Sequence, residues 1–175
     1  VCDTTGLNGA YTIRITAQDA AGNASVYPLS LSVDNVVSDT SAAITNPAYG
    51  MVIANIVEVI GLANDTNFKE YKVEYSSRSD PDSWHPLGNT RTEPVENDRL
   101  GSWDTRAAGD GSFNIRLTVT DLAGNTRAAG VPVMVDNSVP AVKITAPLTG
   151  NVLSSVVAVQ GAVADPNFAQ YKVEY

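Results

Sequence analysis

Four aspartates occupy positions where carboxylate oxygens could bind a cation. Asp19 and Asp121 each precede a Gly-Asn turn, and Asp34 and Asp136 each directly follow an alternating apolar segment. Calcium takes six to eight oxygen ligands from carboxylates, carbonyls and water. These four residues are therefore candidate calcium ligands, and Asp65 and Asp165 lie in turns that could add further oxygens.

Turn capping is the alternative role for Asp19 and Asp121, and we favour it for these two residues. Aspartate accepts hydrogen bonds from the backbone of the turn that it begins. Gly22 and Gly124 would then take the positive φ that costs other residues energy. The chain also lacks the Asp-x-Asp-x-Asp spacing of a strong calcium loop.

The sequence offers little for catalysis. His85 is the only histidine, and it lies between Trp84 and Pro86. A serine–histidine–aspartate arrangement would have to use it, and no nucleophile-elbow, phosphate-loop, CxxC or HExxH motif is present. We predict a protein that is not an enzyme, with no catalytic and no cofactor-binding residues.

The charge and the cysteine content of the chain narrow the classes of partner and of protein that it fits. The net charge is −8, from 19 acidic and 11 basic residues, without a basic cluster. This balance argues against nucleic acid or an anionic membrane surface as a partner. With Cys2 as the single cysteine, no disulfide can form within the chain, which disfavours a disulfide-rich ectodomain.

The chain repeats itself with a period near 100 residues. Residues 44–75 match 144–175 at 16 of 32 positions without a gap, and residues 11–35 match 113–137 at an offset of 102. A period of this length fits a whole small domain rather than a solenoid unit. Because both ends fall within a unit, we expect the sequence to be a window on a longer tandem array.

The elements that position these residues are predicted to be β-strands. Phe113, Ile115, Leu117 and Val119 alternate with polar residues, and other segments do the same, which is the strand signature. Turn signals recur every 8–12 residues, as in an all-β sandwich. Seven strands are predicted for the complete unit, at about 41–45, 55–63, 68–76, 83–88, 99–104, 112–121 and 128–135.

The same alternation predicts which side chains form the core. The odd-numbered residues from Val57 to Ala63, together with Tyr71, Val73 and Tyr75, should face inward. Residues 171–175 repeat the sequence of residues 71–75 and are expected to form the same half-buried strand. Cys2 aligns with Trp103 and is predicted to be a small buried side chain.

The segment Ile115–Asn125, followed by Val135-Asp136-Asn137 and Pro140, resembles the bacterial Ig-like repeats of large surface and secreted proteins. Residues 13–23 and 33–35 carry the same two elements. The resemblance implies tandem immunoglobulin-like or fibronectin III-like antiparallel β-sandwiches, and it implies calcium at junctions in some adhesins. In such folds a tyrosine at the start of this strand donates a hydrogen bond from its hydroxyl to the preceding corner. Tyr11 can do this, and Phe113 cannot because it has no hydroxyl.

The expected organisation is one complete sandwich between two partial ones. Residues 1–37 are the C-terminal half of a domain, residues 38–138 a complete domain, and residues 139–175 the N-terminal half of the next. The predicted function is a structural or adhesive segment of a long extracellular, bacterial cell-surface protein that forms a semi-rigid stalk, sheath or filament. Neighbouring Ig-like domains of the same or identical chains are the expected partners, with a surface glycan or protein as a candidate ligand.

Two alternatives stay open. The first is an accessory or carbohydrate-binding module of a secreted enzyme, in which an exposed Trp84 would stack on sugars. The second is strand complementation, in which residues 1–35 of one molecule complete residues 141–175 of another. The joint would then lack a counterpart of residues 76–101.

Overall fold

The computed structural model describes residues 1–175 and consists almost entirely of β-structure, with 54% of residues in strands and 2% in helix. The twelve strands in chain order are β1 (Gly9–Gln18), β2 (Ala24–Val33), β3 (Ala42–Asn46), β4 (Val52–Ile53), β5 (Ile56–Ala63), β6 (Phe68–Ser77), β7 (Asp80–Pro86), β8 (Val95–Asp104), β9 (Gly111–Asp121), β10 (Thr126–Val135), β11 (Ala141–Ala146) and β12 (Gln160–Ala164). One 3-10 turn, Thr105–Ala107, follows β8.

Strands β3 to β10 form two sheets, which we call the central sandwich. The larger sheet has the order β4-β10-β9-β6-β7 and the smaller one β3-β5-β8. Every pairing within them is antiparallel except that of β4 with β10. Hairpins β1–β2 and β11–β12 are separate two-stranded sheets. The prediction of an all-β fold is confirmed, and the two facing sheets are consistent with a β-sandwich.

The core lies between the two sheets because alternate residues of each strand point to the same face. On β9 all four apolar residues of the alternating row are buried, and Val131, Val133 and Val135 of β10 continue that surface. The fourteen buried apolar residues are Ile53, Val59, Ala63, Tyr71, Val73, Leu100, Trp103, Phe113, Ile115, Leu117, Val119, Val131, Val133 and Val135. The predicted inward row of β5 and the inward tyrosine and valine of β6 are confirmed.

Aromatic rings and one buried hydroxyl fix the geometry of this core. The rings of Tyr75 and Trp103 stack with centroids 4.5 Å apart, and Phe113 meets the indole edge-on at 5.3 Å. The hydroxyl of Tyr71 donates to the carbonyl of Leu100 at 3.0 Å. A buried phenol needs such a partner, and this bond ties β6 of the larger sheet to β8 of the smaller one.

The structure departs from the predicted strands in specific places. The two-residue strand β4 was not predicted, because it is too short to show alternation. Strand β8 begins at Val95, earlier than predicted, because its first half is polar and exposed.

Cys2 is exposed, so its predicted burial is wrong. It precedes β1 and has no opposing sheet, whereas its counterpart Trp103 lies between two sheets.

The terminal hairpins leave their apolar faces exposed. Tyr11, Ile13 and Ile15 on β1 are exposed although their counterparts on β9 are buried. Residues 171–175 form no strand, so the expectation that they repeat the half-buried strand of residues 71–75 is wrong. The reason is pairing: β6 is hydrogen-bonded to β9 on one side and β7 on the other, and residues 171–175 have neither neighbour.

Gly61 provides a test of the packing of the smaller sheet. A Cβ at this position would overlap the backbone carbonyl of Ala43 on the paired strand β3. We expect Gly61→Ala to lower the free energy of unfolding by about 1–3 kcal/mol, as overpacking does, measured by denaturant titration. Gly130→Ala is the control, since its Cβ would sit 3.5 Å from the nearest atom. Equal stability of the two variants would contradict this packing.

Candidate functional site

Two Asp-Asn dipeptides follow the last strand of a hairpin and lead to the next sheet. Asp34 and Asn35 come directly after β2, and Asp136 and Asn137 come directly after β10. In each dipeptide the asparagine is bound to loops that precede it in the chain, and the aspartate is bound to the segment that follows. We call these two sites the junctions.

The asparagine of the second junction is held by the loops at the base of the central sandwich. Its side-chain oxygen accepts from the backbone N–H of Asn55 at 2.8 Å and from the hydroxyl of Thr105 at 3.1 Å. The backbone N–H of Asn137 donates to Asp110 at 2.7 Å, and its amide nitrogen donates to the carbonyl of Thr105 at 3.3 Å. The linker is therefore fixed to the unit that precedes it.

The first junction repeats this arrangement with the residues available there. The backbone N–H of Asn35 donates to the side-chain oxygen of Asn8 at 2.8 Å. Its amide nitrogen donates to the carbonyls of Thr4 and Leu7 at 2.7 and 2.6 Å. Thr4 and Asn8 correspond in sequence to Thr105 and Asp110, so both junctions use the same scheme.

The aspartates bind forward, to the unit that follows. The amide nitrogen of Asn67 donates to the carboxylate of Asp34 at 2.5 Å. The amide of Asn125, in the β9–β10 turn, donates to the backbone carbonyl of Asp34 at 3.1 Å. At the second junction the amide of Asn167 donates to the carboxylate of Asp136 at 2.6 Å.

The first junction also gathers three carboxylates. Oxygens of Asp34, Asp65 and Asp121 all lie within 4.8 Å of one another, with Asp121 buried and the other two partly buried. Ligand oxygens on opposite sides of a calcium ion are about 5 Å apart, because each lies 2.3–2.6 Å from the metal. The spacing and the oxygen chemistry of the three side chains therefore fit calcium.

Hydrogen bonds favour the charged form of Asp65. Burial acts to raise its pKa, but the hydroxyl of Ser41 and the backbone N–H groups of Ser38, Asn67 and Thr66 outweigh it and hold the pKa below its ordinary value. The Ser41 hydroxyl donates at 2.8 Å. An ionised Asp65 is the state that would bind a cation.

The structure brings two of the four predicted calcium ligands together and leaves the other two apart. Asp34 and Asp121 come together and are joined by Asp65. Asp19 lies in the exposed β1–β2 turn, and Asp136 meets Asn167; neither belongs to such a cluster. Near Asp136, the positions that correspond to Asp65 and Asn67 are occupied by Asp165 and Asn167. Residues 138–175, which follow this junction, include no counterpart of Asp121.

The capping role of Asp19 and Asp121 is confirmed. Asp19 accepts from the backbone N–H groups of Ala21 and Asn23 at 2.9 Å, and its pKa is lowered, chiefly by the Asn23 side chain and backbone. Asp121 accepts from the backbone and amide N–H groups of Asn125 at 2.9 and 2.7 Å. Gly22 and Gly124 adopt φ of +89° and +88°. For Asp121, capping and membership of the cluster coexist.

Asn35, Asn125 and Asn137 belong to the sequence motifs that resemble Ig-like repeats, but no contact was predicted for them, although a signal for such contacts exists. Asn35, Asn67 and Asn125 each recur at the corresponding position of the other copy, as Asn137, Asn167 and Asn23. Recurrence of a polar side chain between two copies points to a shared contact rather than to a solvated surface.

The residues considered for catalysis or sugar stacking lie elsewhere. His85 is exposed on β7, with its ring 5.2 Å from that of Tyr75. The guanidinium of Arg116 lies 3.7 Å from the ring centroid of Trp84 and covers one face of a half-buried indole. Tyr71 and Trp103 are in the core, so neither ring can stack on a sugar.

No protein-family model matches the chain, and no curated protein shows significant similarity to it. None of its helical segments has the length and apolar character needed to cross a membrane.

Asn137 provides a test of the anchoring at the junction. We expect Asn137→Ala to lower the free energy of unfolding by about 1–3 kcal/mol, because it removes the acceptor of the Asn55 N–H and one of the two donors to the carbonyl of Thr105. Thermal and denaturant unfolding would measure the loss. Asn89→Ala, at an exposed loop position, is the matched control, and comparable stability of the two variants would contradict the anchoring.

The calcium prediction can be tested by comparing melting midpoints in calcium and in chelator. If the Asp34, Asp65 and Asp121 cluster binds the ion, calcium raises the midpoint, since a ligand that binds only the folded state stabilises it. Asp65→Asn should abolish the increase, and Asp82→Asn on exposed β7 should retain it. An unchanged midpoint in the parent chain would refute the prediction.

Proposed function

We propose that this chain is a structural or adhesive repeat segment of a long extracellular protein of a bacterial cell surface. Tandem Ig-like sandwiches, one complete at residues 38–138 and two partial, would form a semi-rigid stalk, sheath or filament. The internal repeat and the all-β architecture support this proposal. The two copies of the repeat share the residues that pack the sheets and the residues that form the junction contacts.

The observation that carries the proposal is the two-sided binding of each Asp-Asn dipeptide. Asn35 bonds to the loop before β1, while Asp34, its neighbour, bonds to Asn67 beyond β5. A flexible linker would leave these groups to water. Side chains that bind both flanking units restrict rotation about the linker, which is what a spacer of defined length requires.

Further contacts beside the first junction support the same conclusion. The backbone N–H of Ser38 donates to Asp65 at 3.3 Å, and Asp39 forms an ion pair with Arg127 at 2.9 Å. The segment between β2 and β3 is thus bonded along its length to the central sandwich. An ion pair this exposed contributes little on its own, so the amide and carboxylate contacts dominate.

Spin-label distance measurements test the stiffness of the first junction. Labels at Ser30→Cys on β2 and Arg78→Cys after β6, in a Cys2→Ser background, report the relation of the hairpin to the central sandwich. We expect a narrow distance distribution that broadens when Asn67→Ala and Asn125→Ala remove the forward contacts. Asn89→Ala should leave it narrow. A broad distribution in the parent chain would overturn the semi-rigid rod.

A further inference from the structure

One edge of the central sandwich carries a cluster of accessible apolar side chains, which we call the edge patch. Its members are Tyr49, Met51, Val52, Pro132 and Met134. Tyr49 is 85% exposed, Met51 and Val52 are 46% and 49% exposed, and the other two are partly buried. Single exposed apolar residues are ordinary on a protein surface, but a cluster of them marks a site of interaction.

Backbone hydrogen bonds hold the two segments of the edge patch side by side. The N–H of Gly50 donates to the carbonyl of Pro132 at 2.8 Å, and the N–H of Met134 donates to the carbonyl of Met51 at 3.0 Å. Val52 lies beside Met134 in the parallel pair of β4 with β10, at the edge of the larger sheet. Strands β3 to β10 are all in place here, so the exposure of this patch belongs to a closed sandwich rather than to a partial one.

The neighbouring units show that the fold does not require these apolar residues. Four of the five members are replaced by polar residues at the corresponding positions: Thr149 and Asn151 for Tyr49 and Met51, and Ser30 and Ser32 for Pro132 and Met134. The turn keeps its hydrogen bond in spite of the change, because the N–H of Met51 donates to the carbonyl of Ala48 at 3.1 Å and that of Asn151 donates to Leu148 at the same distance. The apolar side chains are therefore specific to the central unit, and their role is contact rather than folding.

The lack of charge around the edge patch favours a second copy of this chain as its partner. Residues 40–57 and 128–135, which contain β3, β4 and most of β10, include no acidic side chain, lysine or arginine. The whole chain has 19 acidic and 11 basic residues and a net charge of −8. Two copies of such a chain repel each other, so their close approach costs least where neither presents a charge. An uncharged apolar surface is also complementary to itself, as a contact between identical surfaces requires.

We propose that the edge patch binds the edge patch of a second copy in a two-fold symmetric contact. Tyrosine and methionine are enriched in the cores of protein interfaces, and the flexible thioether of methionine adapts to an opposing surface. Because the neighbouring units carry polar residues at these positions, two tandem chains would pair where their central units meet and not in a shifted register. This inference goes beyond the proposed function and does not depend on it, since it concerns contacts between chains rather than along one chain.

The two methionines provide the test, because they are the only ones in the chain and both belong to the edge patch. In a chain isotopically labelled at the methionine methyl groups, we expect both NMR signals to shift between about 10 µM and about 1 mM, the range that covers weak contacts. Sedimentation velocity should show growth to a dimer over the same range. Tyr49→Thr introduces the residue of the neighbouring unit and keeps both methionines. It should weaken association about tenfold, because an interface tyrosine is lost from both copies.

Leu122→Ala is the matched control, because it also removes an exposed apolar side chain, outside the edge patch, and introduces the residue of the corresponding position, Ala20. It should leave the concentration dependence unchanged, and an unchanged melting transition shows that each variant folds. Methionine signals that stay constant with concentration overturn the proposal, whether the chain remains monomeric or associates through another surface. Equal effects of Tyr49→Thr and Leu122→Ala, or signals that shift only as assemblies larger than a dimer form, also overturn it.

Discussion

The core of the central sandwich depends on the requirement that an apolar sheet face be covered by a second sheet. Burial stabilises by about 25 cal/mol per Å² of apolar surface, and a sheet can bury only the face that another layer covers. In the central sandwich the row from Phe113 to Val119 meets that condition. The same row at the N-terminal end, from Tyr11 to Ala17, does not, and its side chains are exposed. Identical patterning therefore gives two outcomes.

The junctions depend on a different balance. Carboxylate and amide contacts replace apolar burial there, and hydrogen bonds to charged groups contribute about 1.5–3 kcal/mol each. Asp34 and Asn35 are adjacent in sequence, so consecutive residues bond to opposite units. A change at either residue should loosen one side and leave the other bound. The preserved identity of both residues at Asp136 and Asn137 follows from this division of roles.

The sequence predicted the core rows well, because alternation along each strand controls them. It predicted poorly the features that depend on which strands lie alongside. The core rows of β5, β6, β9 and β10 follow from period two, because each row meets an opposing sheet. The burial of Cys2 was wrong, and so was the strand at residues 171–175, since both depend on strands that are not beside them. Two of the four predicted calcium ligands, Asp34 and Asp121, came together. The sequence could not show which two would meet, because only the geometry of the junction decides the separation of these residues.

The carboxylate cluster shows why that geometry matters. Two unit charges 4 Å apart repel by about 1 kcal/mol in water and about 4 kcal/mol at the effective dielectric constant of a protein surface. Asp34 and Asp65 are partly exposed, so water screens them, but Asp121 is fully buried. The amides of Asn67 and Asn125 offset part of this repulsion. An amide can also turn its oxygen inward in place of its nitrogen. The side chains that hold the junction without a cation would then become additional ligands with one.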